Sequence, residues 1–330
     1  MASGGYSSIH PVNEILRDVV NEAIPSDSQL IAHRAFEPIQ VQDRSGTILI
    51  EESRAFMGEA GADPQRAPGA ARQALSHFTR SSTTYKCEIY SFCDSIPMED
   101  IADSQYPMQE QMRSARRVKR ALLLAEEKRA ADVLFDTGSI ANTTPATKFN
   151  AAGGEPLTFI SQEIDTLRAA NHGIMPDTMI LGYDVFRALG RNPEMRGYIT
   201  TGAGGVASGN RLLQNDVILE VLRDQLGIPN ILVGAARRET AVAGATSSEA
   251  QIWEAETIGL YLMRGGDPQV GRSGNVKVMP LCAVDLRFQD YIAGEYDDLD
   301  MVRKNVYGEH VQQFKLIDET RRRLITNCLA

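Results

Sequence analysis

The sequence predicts a mixed α/β protein of the α+β kind, and three patterns carry that expectation. One long stretch, 107–135, repeats apolar residues at three- and four-residue steps, as an amphipathic helix does. Residues 155–290 alternate short helical signals with short strand signals, the mark of an α/β unit. Outside these, segments near 36–51, 82–90 and 306–316 alternate in polarity, as strands with one wet face do.

Taken in chain order, Ile9, Val12, Ile15, Leu16, Val19 and Val20 form a short amphipathic pattern, followed by Pro25-Ser26-Asp27. This reads as a short helix and an arm. Phe36 to Glu51 alternates on either side of Asp43-Arg44-Ser45-Gly46, which predicts a β-hairpin. Residues 59–106 are different in kind. Gly58, Gly61, Pro64, Pro68, Gly69, Ala70 and Ala71 are too small and too interrupted to build a core, while Ser82 to Tyr90 alternates like an exposed strand. A segment this long without a helix is abnormal in a compact domain and points to contacts with another chain.

In the 107–135 helix Met108, Met112, Ala115, Val118, Leu122, Ala125 and Val133 face inward, and Arg113, Arg116, Arg117, Lys119, Arg120, Lys128 and Arg129 cover the other faces. That basic cluster reads either as a solvated face or as a ridge for ion pairs with acidic neighbouring subunits. Beyond it, Ser161 is expected to cap a helix ending at Gly173 and Pro176. Met179-Ile180-Leu181 is a short buried strand, and Asp184 caps Val185 to Leu189. Asn192-Pro193 is an N-cap with a first-turn proline. Asn210 is expected to cap a helix stopped by Gly227 and Pro229, with strands at Ile231-Leu232-Val233, Thr257 to Met263, Val306-Tyr307 and Val311 to Leu316.

Composition narrows the functional classes. The 330 residues hold 34 Lys and Arg against 43 Asp and Glu, a net charge of −9. That disfavours general nucleic-acid coating, which needs surplus cations against phosphates. An apolar share of 43% with 23% charged residues excludes wholesale disorder. No apolar run approaches the ~20 residues a bilayer span needs, and the first residues lack the basic and apolar regions of a signal peptide. A soluble, intracellular chain with no membrane partner is expected. Cys87, Cys93, Cys282 and Cys328 have neither paired spacing nor nearby His pairs. They read as reduced thiols acting as small hydrophobes, with no metal site.

Candidate chemistry is sparse. Phe135-Asp136-Thr137-Gly138-Ser139 matches the aspartic-protease tripeptide, whose chemistry needs two carboxylates sharing a proton. Only one such motif is present, so catalysis by Asp136 would require a symmetric dimer. The structural alternative is a helix C-terminus with Gly138 as its stop. The glycine-rich Thr200 to Gly209 segment has neither the strand before it nor the spacing of a dinucleotide fingerprint, and no Gly-Lys-Ser/Thr closes it. A surface loop is the simpler reading. The five histidines are scattered, and Arg321-Arg322-Arg323 reads as the charged face of a terminal strand.

Several segments together resemble the major capsid proteins of tailed bacteriophages, with the Hong Kong 97 type of fold. The Phe36 to Ile48 segment looks like that family's early strand pair, and Arg66-Ala67-Pro68-Gly69-Ala70 looks like the start of its extended loop. Pro176 to Leu189 followed by Asn192-Pro193 is the most specific match. Ile231 to Ala236, Ile252-Trp253 and Ile258 to Tyr261 complete the set.

The resemblance implies a division into an N-terminal arm (1–35), a peripheral-domain hairpin (36–58), an extended loop (59–106), a peripheral domain with a spine helix (107–149), an axial domain (150–290) and a return to the peripheral domain (291–330). It implies a subunit that assembles with itself into pentamers and hexamers around double-stranded DNA, which it touches only weakly. No catalytic residue, cofactor or metal is expected. Expected partners are a separate scaffolding protein, a portal and a decoration protein, and the expected location is the virion. Expected intersubunit contacts are Arg66, Arg72, Arg80 and Lys86 on the loop and Arg116, Arg117 and Arg120 on the helix. Lys86 is the one lysine in 59–106, and no matching asparagine or glutamate accompanies it, so covalent cross-links are not expected. The bacterial encapsulin shells share the fold and are the near alternative. The alternative from another class is the protease.

Overall fold

The computed structural model describes residues 29–50, 65, 81–103, 107–138, 141–202, 214–242, 244–263, 269–270, 276–278, 281–298 and 300–330. Helix and strand take near-equal shares. The described elements run α1 (Ala32–Ala35), β1 (Pro38–Gln40), β2 (Ser45–Ile50), β3 (Ser81–Lys86), β4 (Glu88–Pro97), α2 (Met98–Asp103), α3 (Pro107–Leu134) and β5 (Asn142–Thr143). They continue with α4 (Pro156–Ala170), β6 (Thr178–Gly182), α5 (Tyr183–Leu189), α6 (Pro193–Gly202), α7 (Asn215–Leu226), β7 (Asn230–Gly234), β8 (Arg237–Glu239), β9 (Glu249–Gln251) and β10 (Ile258–Tyr261). The chain closes with β11 (Gln269–Val270), β12 (Val276–Val278), β13 (Ala283–Asp298), β14 (Arg303–Leu316) and β15 (Arg322–Ile325).

Two larger sheets organise the chain. The first has the order β1-β13-β14-β4. Its β13 and β14 form a long antiparallel ribbon with register shifts near Gln289, and α3 lies across it. The helix spans 28 residues, about 42 Å at 1.5 Å per residue. Its apolar stripe is the expected one at Ala115, Val118 and Leu122, continued by Ala130, Ala131 and Leu134, all buried. Met108, expected inward, is exposed. Gly308 on β14 is what lets the helix sit down. A Cβ there would meet Val118 Cγ1 at 3.0 Å and Leu122 Cδ1 at 3.2 Å.

The second sheet has the order β5-β15-β10-β6-β7. All five β6 residues are buried, and the period-2 alternation sorts them between two cores. Met179 and Leu181 pack under α4, α5 and α7, while Ile180 packs with Trp253, Tyr261 and the end of α3. A smaller sheet, β11-β12-β2-β3, flanks the first.

Several expectations need correction. Within 36–50 the expected hairpin is not formed: β1 pairs in parallel with β13, and β2 pairs with β3 and β12; residues 51–58 lie outside the described residues. Alternation sets which face a strand buries but does not choose its partner. The helix expected to start at Ser161 begins at Pro156, because the Glu194 carboxylate accepts the Leu157 N–H at 2.8 Å and the Thr158 N–H at 3.2 Å. That cap comes from far along the chain, so no local signal carries it. Gly182, not Asp184, is the N-cap of α5. Asn192 does cap, its Oδ1 accepting the Glu194 N–H at 2.8 Å. Gly227, at φ 68°, ends α7 in the left-handed conformation. Asn210 and most of the 200–209 segment lie outside the described residues. Residue 290 lies inside β13, and the 291–330 tail divides, with β14 in the first sheet and β15 in the second.

The four cysteines are free, three buried and Cys93 exposed. Burial pushes the Cys282 and Cys328 thiols up to about 12 and Cys87 to about 11, so they are protonated hydrophobes.

Candidate functional site: the two faces of the long helix

The inner face of α3 covers a seam of ionisable groups. Glu126, buried, accepts from Arg287 Nη2 at 2.9 Å and from the Tyr291 hydroxyl. Arg287 Nε also donates to Asp285 Oδ2 at 2.6 Å. Burial lifts the Asp285 carboxyl to about 6 against the pull of Arg287. Lys119 lies over the Tyr291 ring, 4.9 Å from its centroid, and burial lowers its amine to about 8. Arg129 sits 3.5 Å from the Tyr90 ring centroid and 2.9 Å from His310 Nε2. Burial, together with the cations Arg129 and Arg287, pushes the His310 imidazole down to about 3, so it is neutral.

The next acid, Glu127, ties three parts of the chain together. Its carboxylate accepts the Ile31 N–H at 2.8 Å, the Ala32 N–H at 2.9 Å and the Trp253 indole N–H at 2.6 Å. It thereby anchors α1 and the segment before β10 to the long helix. Burial raises its pKa, and the three hydrogen bonds oppose that rise.

The C-terminus of α3 is held by the second sheet. Arg322 Nη1 donates to the Val133 carbonyl at 2.6 Å and the Tyr261 hydroxyl to the Leu134 carbonyl at 2.9 Å, satisfying carbonyls that the helix leaves open. This corrects the reading of Arg321-Arg322-Arg323 as a charged surface. Arg321 and Arg322 are buried, Arg321 pairs with Asp318 at 3.1 Å, and Arg323 pairs with Glu163.

The outer face of α3 is basic and exposed. Arg113, Arg116, Arg117 and Arg120 are all exposed and stand three and four residues apart, so they share one stripe. Arg117 Nη1 lies 3.2 Å from Asp94 Oδ1 with its side chain 79% exposed, and Arg113 Nη1 lies 3.9 Å from Glu110. Exposed pairs of this kind add little stability. Lys86 is exposed at the end of β3, with its backbone N–H on Gln313 Oε1 at 2.9 Å. Lys86 thus lies beside Gln313, whereas Asp94, the partner of Arg117, is in register with Val306 seven residues along β14, roughly 23 Å away along the strand. Arg66, Arg72 and Arg80 lie outside the described residues.

Asp136 is exposed on the turn after α3, and its Oδ1 accepts the Gly138 N–H at 2.9 Å. The helix ends at Leu134, ahead of Gly138, so that glycine is not its stop. An open cavity of about 980 Å³ adjoins Asp136 and is also lined by Asp132, Trp253, Glu254 and Glu256. Among the described residues no group of His, Cys, Asp and Glu could hold a metal ion, and no helix is long and apolar enough to cross a membrane.

The charged seam was not read from the sequence. Its signal was Lys119 and Glu126, two charges set among Ala115, Val118, Leu122 and Ala130 on the helix's apolar side.

A spine helix laid over a long antiparallel ribbon and pinned at its end to a compact α/β sheet is the Hong Kong 97 type fold of tailed-phage capsid proteins. In particular, the chain is similar to a phage-related protein from Bordetella bronchiseptica RB50, with TM-score 0.68 at 16% identity over 97% of this chain and 98% of that one. It is also similar to the virus-like particle protein of Pyrococcus furiosus (TM-score 0.56, 10% identity, 94% and 98% covered) and to the capsid of Myoviridae phage XM1 (TM-score 0.54, 10% identity, 90% and 92% covered). No protein-family profile and no curated protein matches the chain.

Proposed function

We propose that the chain is the structural subunit of an icosahedral phage head, assembling with itself into pentamers and hexamers around double-stranded DNA. The observation that carries this reading is the likeness to shell proteins over nine-tenths or more of both chains. The role is structural: many modest contacts, repeated over many copies, close the shell. The net charge of −9 suits an inner wall that packed DNA touches only weakly. A separate scaffolding protein, a portal and a decoration protein are the partners such a head requires. Its place is the virion, after assembly in the bacterial cytoplasm. The division into arm, extended loop, spine-helix, axial and returning segments is part of the same reading, without the early hairpin and with β15 in the second sheet, as are intersubunit roles for Arg66, Arg72, Arg80, Lys86, Arg116, Arg117 and Arg120.

The likeness to an archaeal virus-like particle favours a second reading, an encapsulin-type shell with protein cargo. Size-exclusion chromatography with light scattering and an absorbance ratio tests both. Masses of five or six copies or more, with nuclease-protected DNA in particles made in infected cells, fit the head. Particles filled with protein fit the nanocompartment. A stable dimer that cleaves peptides at acid pH, and loses that activity in Asp136→Ala, overturns both in favour of Asp136 chemistry.

A further inference from the structure

We propose that the outer face of α3 is a docking surface for a second copy of this chain, whose acidic turn between β13 and β14 lies against it. The inference rests on the shell reading and adds the partner of the arginine stripe.

Arg113, Arg116 and Arg117 on the stripe are exposed to solvent. While the inner face of α3 is seated on β14 and β4, Arg113 and Arg117 hold side chains that are 83% and 79% exposed. Arg113, Arg116, Arg117 and Arg120 fall within two helical turns, so their charges add along about 10 Å of surface. Glu110 and Asp94 lie against Arg113 and Arg117 in pairs that water largely screens.

The complementary surface lies at the same end of the molecule. Asp297, Asp298 and Asp300 lead into the turn, where Met301 is 64% and Val302 51% exposed; Lys304 lies 3.7 Å from Asp297 and Arg303 is in register with Asp298, so the acidic excess comes from Asp300 and the α2 acids. The Met98 N–H bonds the Val302 carbonyl at 3.0 Å, which brings α2 and its exposed Glu99, Asp100 and Asp103 beside the turn. The result is an adjacent apolar pair with an acidic rim, the arrangement of an interface core and its surround. Asp94, which pairs with Arg117, is only three residues from Pro97, which is in register with Arg303 at the base of the turn. Ridge and tip are therefore neighbours of opposite sign. A copy rotated about an axis beside this end sets its tip against the next copy's ridge. Every copy carries both halves, so the contact is heterologous and closes into a ring when the rotation divides the circle.

The test uses the full chain and measures the assembled fraction by sedimentation and negative-stain microscopy at near-physiological salt. Reversing the tip (Asp297→Lys, Asp298→Lys and Asp300→Lys together) lowers that fraction by about tenfold or more, as does reversing the ridge (Arg113→Glu with Arg116→Glu), because like charges now face each other. The chain with both sets reversed recovers assembly. If wild type assembles and the separate reversals assemble equally well, the inference is overturned and the shell reading stands. If wild type stays monomeric in every condition, both fall. A second measurement does not depend on reversal variants folding. In a Cys93→Ser background, Asp300→Cys combined with Arg116→Cys and a short bis-maleimide gives a ladder of multimers on a denaturing gel, and each single cysteine gives no more than dimers. Assembled particles without the ladder overturn the contact.

Discussion

Around β6 of the α/β sheet, each layer is apolar: Met179, Leu181, Ile258 and Leu260 are fully buried against α4, α5 and α7. Around β13 of the long-strand sheet, the space under α3 is shared with Lys119, Glu126, Asp285 and His310, all buried. The two halves are joined where Glu127, Trp253, Tyr261 and Arg322 meet the end of α3. An apolar layer stabilises without regard to direction, whereas a charged seam is favourable only in the register that pairs every member. The α/β half is thus built to be stable, and the long-strand half to hold one alignment of helix on ribbon while the arginines on the outer face of α3 stay exposed.

Substitutions sharpen this contrast in order of expected size. Trp253→Ala removes the largest side chain at the junction, its edge-on contact with Phe135 and the indole bond to Glu127. It should cost about 4 kcal/mol in urea denaturation, and a cost below ~1 kcal/mol would mean the junction is not shared. Arg287→Ala strands Asp285 and Glu126 without their cation and should cost about 3 kcal/mol. Arg287→Met with Asp285→Leu and Glu126→Leu should recover much of that loss but leave the helix alignment less unique, visible as broadened amide resonances. Should the single Arg287→Ala change be silent, the seam has no structural weight.

Acid titration reads the same seam. His310 binds its proton near 6.5 when unfolded and near 3 when folded, so its contribution is present above pH 6.5 and is lost as pH falls toward 3. Asp285 runs the other way: its folded pKa near 6 exceeds the unfolded 3.8, so its contribution is present below pH 3.8 and lost as pH rises through 6. Between pH 6 and 4 the two slopes, each about 1.4 kcal/mol per pH unit, nearly cancel. The raised Glu127 carboxyl leans with Asp285. His310→Gln should therefore make the protein more stable, relative to its own value at pH 6.5, as pH falls from 6 to 4. Thermal melts whose pH dependence over this range is the same as that of wild type would contradict the assignment.

The smallest expected effect is Asp136→Ala. The carboxylate is exposed and accepts the Gly138 N–H of its own turn, so stability should change by less than about 0.5 kcal/mol. Assembly should be unchanged. Loss of a peptide-cleaving activity in that variant would revive the catalytic reading.

What could be read from the chain followed from local periodicity. The stripe of α3, the buried strands β6 and β7, and the Asn192-Pro193 helix start are local patterns, and the arginine stripe on the outer helix face followed from the same count. What could not be read depends on distant partners. The early strands alternate as a hairpin does, yet β1 and β2 join different sheets. Most of β13 escaped notice because Asp285, Arg287 and Asp290 interrupt its apolar alternation, and two of these are charged because Glu126 and its neighbours stand opposite. Arg321 and Arg322 looked like surface charges, since burial of an arginine is decided by Asp318 nearby and by the Val133 carbonyl far off in the chain. The start of α4 depends on Glu194 in the same way.

The most direct measurement is electron microscopy of the purified full-length wild-type chain across protein and salt concentration. The account predicts rings of five and six copies, or larger assemblies built from them; uniform shells from this chain alone would remove the separate scaffolding protein from it. A chain that stays monomeric throughout, with the outer face of α3 and the β13–β14 turn exchanging amide hydrogens as in free monomer at every concentration, would contradict it.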